Sequence, residues 1–154
     1  MVRKPTKHYI AYMDILGYKE YLQNHPENAS EYLDTILNAV KRVKQSSVSF
    51  TKTANDFFLV NGEIKLKVFS DNIFLCLPVT EDAAEIRRAI AFIIQVASIQ
   101  RGLTIQHGLL MRGGLTIGDV FINDDIVFGQ GLIDAVGMES GTEFPCITVS
   151  DELQ

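Results

Sequence analysis

The sequence predicts an α+β fold, a mixed and mostly antiparallel sheet with helices packed on one face. Three observations predict it. Short apolar runs bounded by turn residues alternate with two long stretches of helical periodicity. Two of the runs follow each other across Ser70-Asp71-Asn72, which makes them an antiparallel hairpin. The helical stretches lie between runs, where they serve as crossovers.

The elements follow in order. Tyr9–Met13, bounded by His8 and Asp14, reads as a buried strand, and Ile15–Gln23 can open a helix. Pro26 turns the chain. Asn28-Ala-Ser30 starts a helix with Tyr32, Leu33, Ile36, Leu37, Val40 and Val43 at helical spacing, ending near Gln45–Ser47. Val48–Val60 is β-prone, and Asn61-Gly62 is a hairpin turn signal. Strands at Ile64–Phe69 and Ile73–Leu77 flank the Asp71 turn. Thr80-Glu-Asp82 caps a long helix running to about Gln100. Leu103–Ile117 is strand-like, Ile126–Phe128 a short strand, Gly129–Ser140 a helix and Cys146–Val149 a last strand. The order βα(α)ββαββαβ fits a ferredoxin-like βαββαβ core.

Composition excludes several classes. The 154 residues make one domain, 47% hydrophobic and 21% charged, as in ordinary globular chains. Fourteen Lys and Arg against 19 Asp and Glu leave a net charge of −5, a poor balance for DNA. Two cysteines, Cys76 and Cys146, are too few for a disulfide scaffold, and both read as core. No apolar stretch reaches the ~18 residues of a membrane span. The expectation is a soluble cytoplasmic protein.

Asp14 and Asp71 stand apart from the other acidic residues. Each ends an apolar strand, where a charge is costly unless it is paired or metal-bound. The fold sets the first strand beside the hairpin that carries Asp71, so both carboxylates reach one sheet edge. Two converging carboxylates with phosphate oxygens as further ligands suit Mg²⁺. The alternative is that both are turn or capping residues. Gly17 permits a tight strand-to-helix turn whose amides can meet a phosphate. Arg112 is either one half of a strand-edge salt bridge or a charge facing a polyphosphate. His8, His25 and His107 have no metal-cluster spacing, and Asp124-Asp125 reads as a solvated hairpin turn.

These residues bear a family resemblance. Tyr9-Ile-Ala-Tyr-Met-Asp-Ile-Leu-Gly-Tyr18 resembles the first metal motif of class III nucleotide cyclases. Lys67-Val-Phe-Ser-Asp71 resembles their Lys-x-x-Gly-Asp hairpin, with Ser70 in place of glycine. Arg112-Gly-Gly-Leu-Thr-Ile-Gly118 resembles their Arg-x-Gly-Ile-x-x-Gly strand, and Phe128-Gly129 through Ser140 their last helix motif. The spelling Met-Asp-Ile-Leu-Gly-Tyr, Phe-Ser-Asp and Met-Arg-Gly-Gly is most similar to the pyrimidine cyclases of Pycsar anti-phage systems.

The resemblance implies a lyase of the cyclase-like fold. It would turn a nucleoside triphosphate, CTP or UTP, into cyclic CMP or cyclic UMP and pyrophosphate, as an antiviral signal to a downstream effector. It implies two Mg²⁺ or Mn²⁺ ions on Asp14, the Ile15 carbonyl and Asp71, and a homodimer with shared sites. Leu16, Gly17 and Tyr18 correspond to the phosphate-cradling turn, Lys67 to the base-contacting lysine, and Phe69 with Tyr18 to walls of the base pocket. The adenine-selecting partner of that lysine falls on Ile126, and the transition-state Asn and Arg fall on Ile133 and Gly137. Neither Ile133 nor Gly137 can donate to a phosphate, so Arg112 is the candidate replacement. Class III domains continue past the strand matching Ile147–Val149, so residues 1–154 read as a single domain lacking its C-terminal end and a phosphate-binding lysine. The second hypothesis is an inactive cyclase-like module that binds nucleotide or dimerises. A diguanylate cyclase shares the βαββαβ core, but its Gly-Gly-Asp/Glu-Glu-Phe motif is absent.

Overall fold

The computed structural model describes residues 4–49, 64–81, 83 and 85–154. β1 (Thr6–Ile15) runs through the middle of the sheet. β3 (Asn72–Pro78) pairs antiparallel along one side of it and β4 (Met111–Ile122) along the other. β2 (Lys65–Phe69) lies outside β3. β5 (Val127–Phe128) folds back on the end of β4, and β6 (Ile147–Val149) pairs in parallel with its start. The order β2-β3-β1-β4 is the ferredoxin-like arrangement expected from the sequence.

From Tyr9 to Met13, β1 is apolar because both its faces are covered there. Tyr9, Ala11, Met13 and Ile15 face a core completed by Tyr32 and Ile36 of α2 (Ala29–Ser49) and by Phe92, Val96, Ile99 and Leu103 of α3 (Glu85–His107). Ile10 faces the other way, with Phe74, Cys76, Val120, Ile122 and Ala135 of α4 (Gln130–Ser140). So α2 and α3 occupy the expected face, and α4 adds a cover to the opposite one. That cover lies very close: a Cβ on Gly118 would come within 2.6 Å of the Gly131 Cα. α1 (Tyr18–Asn24) is a short helix beside α2.

Two boundaries differ from expectation. α3 runs to His107, well past Gln100, and the strand expected from Leu103 begins only at Met111. Phe92, Val96, Ile99 and Leu103 form one buried helical stripe, which outweighs the local β-propensity. Gly108, at φ 67, then ends the helix, its amide returning to the Thr104 carbonyl at 3.0 Å. α2 continues to Ser49, past the stop expected at Gln45–Ser47. The β-prone reading up to Val60 and the Asn61-Gly62 turn otherwise fall outside the described residues. Among the described residues no helix is long and apolar enough to cross a membrane.

Candidate functional site

Asp14 lies one residue from the end of β1, in register with Asn72 on one side and Arg112 on the other. Asp71 belongs to the two-residue turn between β2 and β3. Ser70 beside it holds φ 58, a left-handed conformation that glycine adopts at no steric cost. The Ile15 amide donates to the Asp71 carbonyl at 3.0 Å, and the Leu16 amide to the Leu110 carbonyl at 2.9 Å. These bonds tie the end of β1 to both neighbouring turns. The two carboxyl groups act on each other, the Asp71 charge helping to raise the Asp14 pKa.

A third carboxylate, Glu139 of α4, joins them. It is 6% exposed and contacts the Arg112 Nε at 2.5 Å. The contact is an ion pair without hydrogen-bond alignment. The same Nε lies 3.6 Å from Asp14 Oδ2. Of the two readings of Arg112, the salt bridge is what the geometry displays. Burial pushes the Asp14 pKa up to about 6, the charges of Asp71 and Glu139 push in the same direction, and Arg112 only partly opposes them. The nearby Tyr12 hydroxyl is also raised, by burial first and then by Glu139, Asp14 and Asp71.

Sequence reasoning missed Glu139, although a signal existed. Gly131, Ala135 and Glu139 are the buried residues of α4 at a spacing of four, so a carboxylate continues the stripe that packs inward. It also missed Tyr32, read as an ordinary core position on α2. Its ring lies 5.2 Å from that of Tyr18 and 5.4 Å from that of Tyr21. This tyrosine cluster separates two cavities. One of about 460 Å³ is lined by Tyr18, Leu22, Tyr32, Leu66, Lys67 and Ser70. The other, about 340 Å³, lies under the Leu16–Tyr18 turn against Tyr21, Tyr32 and Leu110.

The remaining expected site residues divide. Gly17, at φ 77, makes the turn into α1 beside the carboxylates. Lys67 lines the larger cavity but donates its Nζ to the Asp124 carbonyl, across the sheet on the β4–β5 hairpin. Phe69 is 52% exposed at the end of β2 and does not line either cavity with Tyr18. Ile126 and Ile133 are exposed, and a side chain at Gly137 would meet open space. His8 is turned to the Thr6 carbonyl at 2.6 Å, and His25 stands beside Glu27. Cys76 is buried as expected, but Cys146 is exposed, because β6 begins only at Ile147 and the residues before it lie outside the sheet. The Asp124-Asp125 turn is exposed and closed by Asn123, whose Oδ1 accepts from the Ile126 amide at 2.8 Å.

Three carboxylates and one guanidinium leave an excess of negative charge at one sheet end. Burial first, and then the charges of Asp71 and Glu139, disfavour the ionised form of Asp14. Two carboxylates, a backbone carbonyl and outside oxygens are a donor set suited to Mg²⁺ or Mn²⁺. Among the described residues no group of three or more His, Cys, Asp or Glu is placed to hold an ion by itself.

No family model matches the chain, and no curated protein does. Solved structures do. An adenylyl cyclase from P. aeruginosa superposes with a TM-score of 0.70 at 15% identity, covering 98% of this chain and 79% of that one. The catalytic core of a rhodopsin–guanylyl cyclase with converted specificity, in complex with ATPαS, superposes with a TM-score of 0.72 at 14% identity, covering 98% and 80%. A class III adenylyl cyclase-like ATP-binding protein from P. aeruginosa superposes with a TM-score of 0.57 at 10% identity, covering 96% of this chain and 34% of that one. At these identities the likeness is one of fold: the chain has the fold of class III cyclase catalytic domains.

Proposed function

We propose that the chain is a metal-dependent nucleotide cyclase that converts CTP or UTP to the 3′,5′-cyclic nucleotide and pyrophosphate. The observation that carries the reading is the meeting of Asp14, Asp71 and Glu139 at one sheet end with a single guanidinium between them. In a domain of this fold, such a deficit of positive charge suits a metal–triphosphate complex.

Asp14, Asp71 and the Ile15 carbonyl would hold the Mg²⁺ or Mn²⁺ ions, which when bound neutralise the triphosphate and make the ribose 3′-OH easier to deprotonate. Arg112 holds Asp14 and Glu139 in place and limits their repulsion. The Leu16–Tyr18 turn offers amides to the phosphates. The 3′ oxygen forms a bond to the α-phosphorus, the bond to pyrophosphate breaks, and the hydroxyl proton leaves to solvent. The chain contributes chiefly by fixing these groups before reaction. Lys67, held at the β4–β5 hairpin near Ile126, borders the base site. With Ile126 where an adenine-selecting carboxylate would stand, an exocyclic amine loses its charged acceptor, at a cost of about 1–3 kcal/mol.

The exposed Ile126, Phe128 and Ile133 support a homodimer that covers this apolar surface. The resemblance to pyrimidine cyclases makes the product a cytoplasmic anti-phage signal for a separate effector. The test is to offer all four ribonucleoside triphosphates together with Mn²⁺ and to identify products by mass. Cyclic CMP or cyclic UMP is expected, and none should form with Asp14→Ala. Cyclic AMP or cyclic GMP as the main product would overturn the base assignment alone. Ile133 and Gly137 favour a second reading, a nucleotide-binding or dimerisation module without turnover. Tight nucleotide binding with no cyclic product would decide for it.

A further inference from the structure

The Tyr32 hydroxyl is the unexplained group at this end of the molecule. Tyr32 is 7% exposed, its oxygen is sealed from solvent, and among the described residues it has no hydrogen-bond partner. Burying a donor without an acceptor loses its hydration with nothing gained in return. Packing does not account for the oxygen, since a phenylalanine ring would make the same contacts with Tyr18 and Tyr21. The residue lies between the two cavities, one bordered by Ser70 of the Asp71 turn and the other by Leu16 and Gly17 after Asp14. Burial raises the pKa of its hydroxyl, and the Asp71 charge raises it further, ahead of those of Tyr18 and Asp14. The phenol is thus a neutral donor at physiological pH, set between cavities that reach the neighbours of both aspartates, Ser70 on one side and Leu16 and Gly17 on the other. Asp71 already takes one hydrogen bond, from Asn72 Nδ2 at 3.2 Å.

We propose that Tyr32 is a positioning residue of the carboxylate site, its buried hydroxyl donating to an oxygen that arrives with the divalent cation at Asp71. This rests on the metal–nucleotide reading above and extends it to α2, outside the motifs that suggested that reading. The incoming oxygen belongs either to a metal-bound water or to the polyphosphate. In the ligand-free chain the donor waits without an acceptor, which disfavours the empty form and favours the filled one. Tyr32 therefore links ligand binding to the packing of α1 against α2.

The experiment compares wild type, Tyr32→Phe and Tyr21→Phe. Among the described residues the Tyr21 hydroxyl only accepts an exposed hydrogen bond from Asn28 Nδ2 at 3.4 Å, so that variant is the matched control. Two quantities are measured: thermal midpoint in EDTA, and uptake of Mn²⁺ followed by its electron paramagnetic resonance, alone and with 3′-deoxycytidine triphosphate, which binds but cannot cyclise. Tyr32→Phe is expected to melt no lower than wild type in EDTA and to bind about tenfold or more weakly, as for a lost hydrogen bond to a charged partner. Loss with Mn²⁺ alone assigns the acceptor to a metal-bound water, and loss only with the triphosphate assigns it to a phosphate oxygen. Tyr21→Phe should bind as wild type does. Wild-type affinity in Tyr32→Phe, with or without a lower melting point, overturns the role of the hydroxyl while leaving the metal site standing. A wild-type chain that takes up no Mn²⁺ overturns both.

Discussion

Replacing Asp14 by asparagine should stabilise the metal-free protein while abolishing its response to metal. The folded state raises the Asp14 pKa from 3.8 to about 6, so ionised Asp14 is disfavoured by burial and by the neighbouring carboxylates, net of Arg112. A shift of about two units corresponds to about 3 kcal/mol as an upper bound. The Asp14 side chain is 18% exposed, so some screening reaches it and about 1–2 kcal/mol is the working figure. The sign follows from linkage. Below the unfolded value of 3.8 the group is protonated in both states and costs nothing. As pH rises through 6 the folded state must ionise it, and the cost becomes complete. Asparagine is neutral throughout. Its stability advantage should therefore be small near pH 4, grow up to pH 6 and stay flat above. For a domain of this size that is roughly 2–8 °C in thermal midpoint. Scanning calorimetry in EDTA across this range measures it, and adding Mn²⁺ should raise the midpoint of wild type but not of Asp14→Asn. A variant that melts lower than wild type at pH 7.5 in EDTA would refute the reasoning, because the Arg112 pairing would then outweigh the repulsion.

Asp71→Ala should remove Mn²⁺-dependent turnover and leave the circular dichroism spectrum unchanged, and full turnover in product analysis would rule out Asp71 as a metal ligand. Ser70→Gly should raise stability to urea by about 0.5–1 kcal/mol, since the residue sits at φ 58, and a loss would show that the serine side chain matters more than its backbone. Gly118→Ala should destabilise by about 1–3 kcal/mol in the same assay, because its Cβ would press on the Gly131 backbone of α4.

The sheet was legible because each strand carries its own signal. Tyr9–Met13 is apolar on both faces, and the Ser70–Asn72 turn leaves little freedom in pairing β2 with β3. Asp14 and Asp71 could be found because charge at the end of an apolar strand is conspicuous, and register then brings them together. The end of α3 was not legible: Leu103 and Ile105 are good strand residues locally, and only the stripe begun at Phe92 makes them helical. The face chosen by α4 was hidden for another reason. It depends on glycines 114, 118 and 131 leaving room for close approach, which shows only once strand and helix are superposed. Tyr32 carries no local sign of a polar role, since its place on the apolar stripe of α2 is that of any core aromatic.

The central position of β1 also shapes how the chain reaches this structure. Its two neighbours are distant in sequence, with β3 about sixty residues further on and β4 about a hundred. Every backbone bond that β1 makes in the sheet thus closes a long loop, and the topology belongs with slow folders rather than fast helical ones. During synthesis, Tyr9–Met13 must wait for β4 before both its edges are paired. The segment is apolar, aromatic and uncharged, the composition that pairs readily with other exposed strands. Holding that strand unpaired is the main hazard of assembly, and chaperone demand should fall most steeply once residues 111–122 have left the ribosome.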